Sequence, residues 1–238
     1  MAFLNFLNFS GSSMAAGYAV PDLPLFEAAP FNAGDRSGVV RFEEEIKRSR
    51  FITTLARVEN RERALALVDA VRREFPDARH HCWAYAAGRP GDTAQVGQSD
   101  DGEPHGTAGR PMLNQLLYGG VGELAAVTTR YFGGIKLGTG GLTRAYQNGV
   151  KEALALLPIT EKKVLCRALV EVDYAHADRF YRLLPQYQAR VVGEDFGQSA
   201  LFTVELPEDL LEPCRRALRE ATDGASEMME ADPLPQED

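Results

Sequence analysis

Residues 123–158 read ELAAVTTRYFGGIKLGTGGLTRAYQNGVKEALALLP, and the order of patterns in this stretch decides the kind of fold. ELAAVTTRYF is an apolar, β-branched run of strand length, which predicts a buried strand. Between Gly133 and Gly141, five of nine residues are glycine, so the backbone there takes positive φ or passes close to something else. From about Leu142 to Leu157, Leu142, Ala145, Tyr146, Gly149, Val150, Ala153, Leu154 and Leu157 recur at helical spacing. Arg144, Gln147, Asn148 and Lys151 fall outside that stripe, and Pro158 ends it. A strand, a glycine-rich turn and an amphipathic helix in succession point to an α+β domain.

The flanks extend this pattern. RFITTLARV reads as a strand, and ENRERALALVDAVRREF as a helix with Ala64, Leu67, Val68, Val71 and Phe75 on one face. HHCWAYAAG reads as a strand with His80, Cys82 and Ala84 on one side and His81, Trp83 and Tyr85 on the other. RPGDTAQVGQSDDGEPHGTAG is expected to be a long polar loop, and PMLNQLLYG a helix with Pro111 in its first turn. Residues 1–38 are rich in Pro, Gly, Ala and Asn without a period, and are expected to form a loosely ordered extension. ITEKK is expected to be a linker. Beyond it, LCRALVEVDY, HADRFYRLLPQY, ARVVGEDF, SALFTVEL, LLEPCRRALREAT and ASEMMEA read as strand, helix, two strands, helix and strand. That βαββαβ order predicts a ferredoxin-like domain over 164–238, following a first domain over 39–158.

Composition narrows the function. The chain has 238 residues, 45% of them hydrophobic, and no run approaches the ~18 apolar residues of a membrane span. The first twenty residues hold no Lys or Arg, unlike a secretory leader. Cys82, Cys166 and Cys214 are far apart and form no CxxC pair. A disulfide framework or cysteine zinc site is therefore not expected, and a reducing cytoplasm is. Residues 1–159 carry 17 basic and 17 acidic side chains, whereas 160–238 carry 9 and 17. The acidic last third is repelled by phosphate, so any nucleic-acid contact is expected in the first domain.

The glycine-rich stretch matches neither common phosphate motif. Gly133 and Gly138 have Walker spacing, but Thr139 stands where the lysine belongs, and Thr143 takes the third glycine position of a dinucleotide fingerprint. A glycine turn before a helix start near Thr139 still favours an anion, because the first helical N–H groups lack partners. Arg110, Arg130, Lys136 and Arg144 are the candidate cations, with Thr139 and Gly140 at the helix start. The bland alternative is that the glycines only fold the loop tightly. SDDGEPHGTAGRP concentrates Asp100, Asp101, Glu103 and His105. As structural carboxylates they suit the following helix start or pair with Arg110 or Arg130. As acid/base or metal groups, Asp101, Glu103 and His105 would serve a hydrolase, although their spacing fits no zinc or calcium loop. Cys82 reads as buried, not nucleophilic.

EEEIKRSRFIT, DARHHCWAY, SDDGEPHGTAGRPML and RYFGGIKLGTGGLTRAY, in this order and spacing, resemble the IMPACT family, with a two-domain layout similar to its bacterial YigZ-like branch. The resemblance implies the fold of ribosomal protein S5 domain 2 for residues ~39–158 and a second domain like the last domain of elongation factor G. Eukaryotic members regulate translation by binding a ribosome-associated activator of a starvation-sensing kinase through an RWD domain, so that partner is not carried over to these residues. The expected function is a cytoplasmic, non-enzymatic factor that binds RNA or the ribosome and regulates translation, without a cofactor or metal. The alternatives are a hydrolase acting on a phosphorylated or nucleotide-like ligand and a protein–protein adaptor.

Overall fold

The computed structural model describes residues 17–27 and 38–231. Tyr18–Lys162 form one compact unit and the chain from Lys163 another.

The first unit runs β1 (Gly17–Pro21), β2 (Val39–Ile46), β3 (Ser49–Arg57), α1 (Arg61–Glu74), β4 (His80–Ala86), β5 (Val96–Ser99), α2 (Gly109–Tyr118), β6 (Leu124–Tyr131), α3 (Thr139–Ala155) and β7 (Ile159–Lys163). Its main sheet has the order β2-β3-β6-β4-β5, antiparallel throughout. β6 is the central strand and seven of its eight residues are buried, which explains its unbroken apolar and threonine run. α1 covers one face, with Leu67 and Val71 against Tyr85, Ala125 and Val127. α2 and α3 cover the other, with Met112, Leu116, Tyr146 and Val150 against Phe51, Leu55, Cys82 and Ala84. The alternating faces read along β4 are therefore the two core faces. α1 starts where Asn60 accepts a hydrogen bond from the Arg63 N–H at 2.9 Å, an ordinary N-cap.

Besides β2 (Val39–Ile46), a strand the letters did not single out, three segments are more ordered than the sequence predicts. Residues 17–27, expected to belong to a loosely ordered extension, hold β1 and an isolated bridge from Leu25 to Arg57. Val20 and Phe26 are buried. ITEKK is no linker: it is β7, and it pairs with β1. The polar loop after β4 contains β5 at its sheet edge. The remainder of the expected extension, 1–16 and 28–37, lies outside the described residues. A buried carboxylate ties the first two exceptions together. Glu123 accepts from Tyr18 Oη at 2.6 Å, Lys162 Nζ at 2.5 Å and Arg57 Nε at 3.0 Å. Burial alone would raise its pKa, but these partners together hold it below the ordinary carboxylate value.

The second unit runs β8 (Leu165–Val172), α4 (Ala177–Leu183), β9 (Arg190–Phe196), β10 (Ala200–Pro207), α5 (Leu211–Ala221) and β11 (Glu227–Glu230). The antiparallel order β11-β8-β10-β9 is the ferredoxin-like arrangement expected from the sequence. Phe180 and Phe202 stack at 4.6 Å in its core, beside Val170, Leu206 and Leu218. α4 is shorter than its pattern predicts, because Leu184–Tyr187 tighten into a 3-10 turn containing Pro185, which has no N–H to continue the helix. Among the described residues no helix is long and apolar enough to cross a membrane.

Candidate nucleic-acid interface

The acidic loop folds inward. Asp100 Oδ1 accepts from the Ala108 and Gly109 N–H groups at 3.0 and 2.9 Å, and Oδ2 from Gly106 at 2.7 Å. This carboxylate occupies the start of α2. Burial works against its charge, but the three N–H bonds and nearby His105 outweigh it and lower the pKa. Asp101 accepts from Arg72 at 2.9 Å and from the His81 N–H at 2.7 Å. Glu103 is buried and accepts from Arg130 Nη1 at 2.6 Å and Tyr146 Oη at 2.8 Å. The Cys82 thiol donates to the Asp100 carbonyl at 2.9 Å and lies 3.3 Å from Tyr146 Oη. Burial pushes the Cys82 and Tyr146 pKa values well up, so neither supplies an anionic nucleophile near neutral pH.

These positions separate the expected hydrolase groups. Asp101 and Glu103 are bound to partners within the fold, while the His105 side chain is fully exposed, 3.7 Å from Asp100. Asp101, Glu103 and His105 do not converge on one point. Among the described residues no three His, Cys, Asp or Glu side chains are placed to hold a metal. Arg130, expected from the sequence as a phosphate cation, is instead the buried partner of Glu103, one of the structural pairings that the sequence left open. Arg110 is exposed at the start of α2.

The glycine-rich loop is shaped partly by the protein and partly by open space. A Cβ on Gly133 would come within 2.0 Å of the Arg48 carbonyl, and its N–H donates to Ser49 Oγ at 3.2 Å. This glycine lets the loop close onto the β2–β3 turn. Gly138 takes φ 76° and is the N-cap of α3, a backbone that other residues rarely adopt. The helix therefore begins one residue earlier than a Thr139 cap would give. No side chain caps α3 and its first turn holds no acidic residue. The N–H groups at its exposed start are the groups that attract anions. A Cβ on Gly140 would meet nothing within 4 Å, and its φ is not positive, so a side chain there would not obstruct the turn.

Closing the loop on the hairpin turn also assembles cations. Lys47, Arg144 and Lys151 line an open groove of ≈ 540 Å³, with Ile46 and Leu137 as its apolar part and Gln147 and Asn148 between the charges. Lys136 is exposed on the adjoining loop. Among the described residues none of these four cations has an ion-pair partner. Glu44 flanks the groove and accepts from Asn148 Nδ2 at 3.2 Å. Burial raises its pKa, the Asn148 bond opposes the shift and Glu152 reinforces it. Lys47 and Lys151 are cations that the sequence does not single out. Lys47 and Arg48 both have positive φ in a two-residue hairpin turn, but they lack the Asn-Gly signature that marks such turns.

An α+β first domain with this loop, joined to a ferredoxin-like second domain, defines a two-domain architecture shared with known proteins. Residues 47–154 match the Impact N-terminal domain, and residues 170–225 match a domain of unknown function (DUF1949). The chain belongs to the IMPACT family. It is 50% identical over 164 residues to the IMPACT family member YigZ of Escherichia coli, covering 69% of this chain and 80% of that protein. An IMPACT family member of Haemophilus influenzae is 44% identical over 189 residues, covering 79% and 91%. A solved structure titled as that of a hypothetical protein is 39% identical, with a TM-score of 0.61, covering 93% of this chain and 98% of the other.

Proposed function

We propose that this protein is a non-enzymatic cytoplasmic factor that binds RNA, free or within the ribosome, through the first domain and thereby regulates translation. The observation that carries the reading is the groove beside α3, where Lys47, Arg144 and Lys151 are gathered without ion-pair partners among the described residues. Exposed lysines and arginines that do nothing for packing are the groups that neutralise phosphates. The open start of α3 adds N–H donors to the same surface. The acidic residues required by a hydrolase are committed to bonds within the fold, which favours binding over catalysis. The second domain, carrying the excess acid, lies outside the phosphate contact in this reading.

The test is the triple variant Lys47→Gln, Arg144→Gln and Lys151→Gln, which keeps the side-chain stems and removes the charges. Its stability is expected to stay within ~0.5 kcal/mol of the parent, as for most surface changes. Its affinity for RNA or ribosomes is expected to fall, with a salt dependence shallower by about one unit of log–log slope for each phosphate no longer neutralised. Unchanged RNA and ribosome binding across salt would exclude the groove.

A further inference from the structure

Phe132 opens the glycine-rich loop and is 51% exposed. Leaving apolar area in water forgoes about 25 cal/mol per Å² of burial, and closing the loop needs only Gly133 and its neighbours. The ring is nevertheless held from within. The Arg130 guanidinium lies over it, 5.6 Å from the centroid. Arg130 is itself fixed, since it is 6% exposed, bonded to Glu103 at 2.6 Å and set over Phe51, its cross-strand partner, at 5.5 Å. Its buried Nε has no hydrogen-bond partner among the described residues. This guanidinium is thus not fully satisfied by the fold. Ile135, 44% exposed, and Lys136 follow on the same loop.

We propose that Phe132 is a stacking platform for an unpaired RNA base, with Arg130 positioning the ring and Lys136, four residues on in the same loop, for the adjoining phosphate. This proposal rests on the phosphate-binding reading and adds a substrate class to it: single-stranded rather than duplex RNA. In a duplex the base faces are covered by their neighbours, so a protruding ring finds no partner there. Unpaired bases present a free π-face, and stacking on an aromatic side chain is tolerant of sequence. A cation–π contact to the ring holds its orientation before any ligand arrives.

The experiment measures binding of the full chain to an end-labelled single-stranded oligoribonucleotide of about 12 nucleotides, within the usual range of such sites, and to a duplex of the same sequence. The parent is expected to prefer the single strand. Phe132→Leu keeps apolar volume but has no π-face, and is expected to weaken single-strand binding about tenfold while leaving duplex binding unchanged and lowering the melting temperature only by the small amount that loss of the Arg130 contact entails. Phe132→Trp is expected to retain binding and to report it by quenching of the new indole emission. If Phe132→Leu binds the single strand like the parent, the platform is overturned; the groove reading survives if the triple Gln variant still loses affinity. Equal parental binding to both RNAs likewise overturns the inference alone. If the parent binds neither RNA nor ribosomes, both readings fall, and a protein contact for Phe132 and Ile135 replaces them.

Discussion

Helices α2 and α3 cover the same face of one sheet, and nearly the same letters lie at their starts: Gly-Thr-Ala-Gly at 106–109 ends on the first residue of α2, and Gly-Thr-Gly-Gly at 138–141 begins on the N-cap of α3. The first start is closed. Asp100 accepts three N–H bonds there, and the other carboxylates of its loop are paired off as Asp101–Arg72 and Glu103–Arg130, leaving Arg110 exposed beside them. The second start is open, without a capping side chain or an acidic first turn, and the cations around it have no ion-pair partner among the described residues. The difference teaches that similar local sequence serves opposite ends. Where the chain brings its own anion the helix start is closed by the fold, and where it brings none the first N–H groups stay without a capping side chain.

The comparison breaks most severely at Glu103. Glu103→Ala leaves Arg130 buried without its partner, and urea unfolding is expected to show a loss of about 3–5 kcal/mol. Adding Arg130→Met is expected to recover part of that loss, since the uncompensated charge is then gone. Full stability of Glu103→Ala alone would mean that the closed region does not hold the fold.

Gly133→Ala is expected to cost about 1–3 kcal/mol, because its Cβ would meet the Arg48 backbone. Asp100→Ala is expected to cost about 0.5–2 kcal/mol, the usual range for removing a helix cap. Its effect also has a pH signature. The folded pKa of Asp100 is depressed, so its stabilisation is present above the unfolded pKa of about 4. It is lost as pH falls through the lower folded value. Acid titration of the melting temperature should show this loss in the parent and not in Asp100→Ala. The smallest effect belongs to Gly140→Ala. With open space around it in the first helical turn, stability is expected to be unchanged or raised by up to about 1 kcal/mol. A large loss there would place Gly140 in packing after all.

Much of the fold was legible because long elements carry their own period. α1, α3, β4 and β6 show it plainly, and the βαββαβ order of the second domain follows from patterns of the same kind. β1, β5 and β7 escape a reading of the letters because each is four or five residues long; β1 and β7 owe their order to each other across most of the domain, and β5 to the edge of the preceding strand β4. In the candidate site, the pairing of Glu103 with Arg130 is among the alternatives the residues allow, but nothing local chooses it over Arg110. The choice follows from β3–β6–β4 register, which sets Phe51, Arg130 and His80 in one row beneath Tyr146. Lys136 and Arg144 were legible as cations beside glycines. Lys151, seven residues on from Arg144, shares its side of α3 by helical phase, whereas Lys47 joins them only because the β2–β3 turn packs beside that helix. Phe132 carries a signal, an aromatic ring at the head of a glycine run, although its exposure is not visible in the letters.

By itself, the sequence determined the α+β class, the two-domain order, the family, and a glycine-rich turn leading into a helix among basic residues. Those are properties of periodicity, composition and short motifs, which act between near neighbours. Only the tertiary structure decided which charges are free. Arg130 and Arg144 stand on either side of the same glycines and have the same chemistry. One is brought against a buried carboxylate by strand register, and the other is carried to the solvent face of α3 by helical phase. Charge neutralisation requires contact in space, and that is fixed by packing across the whole domain.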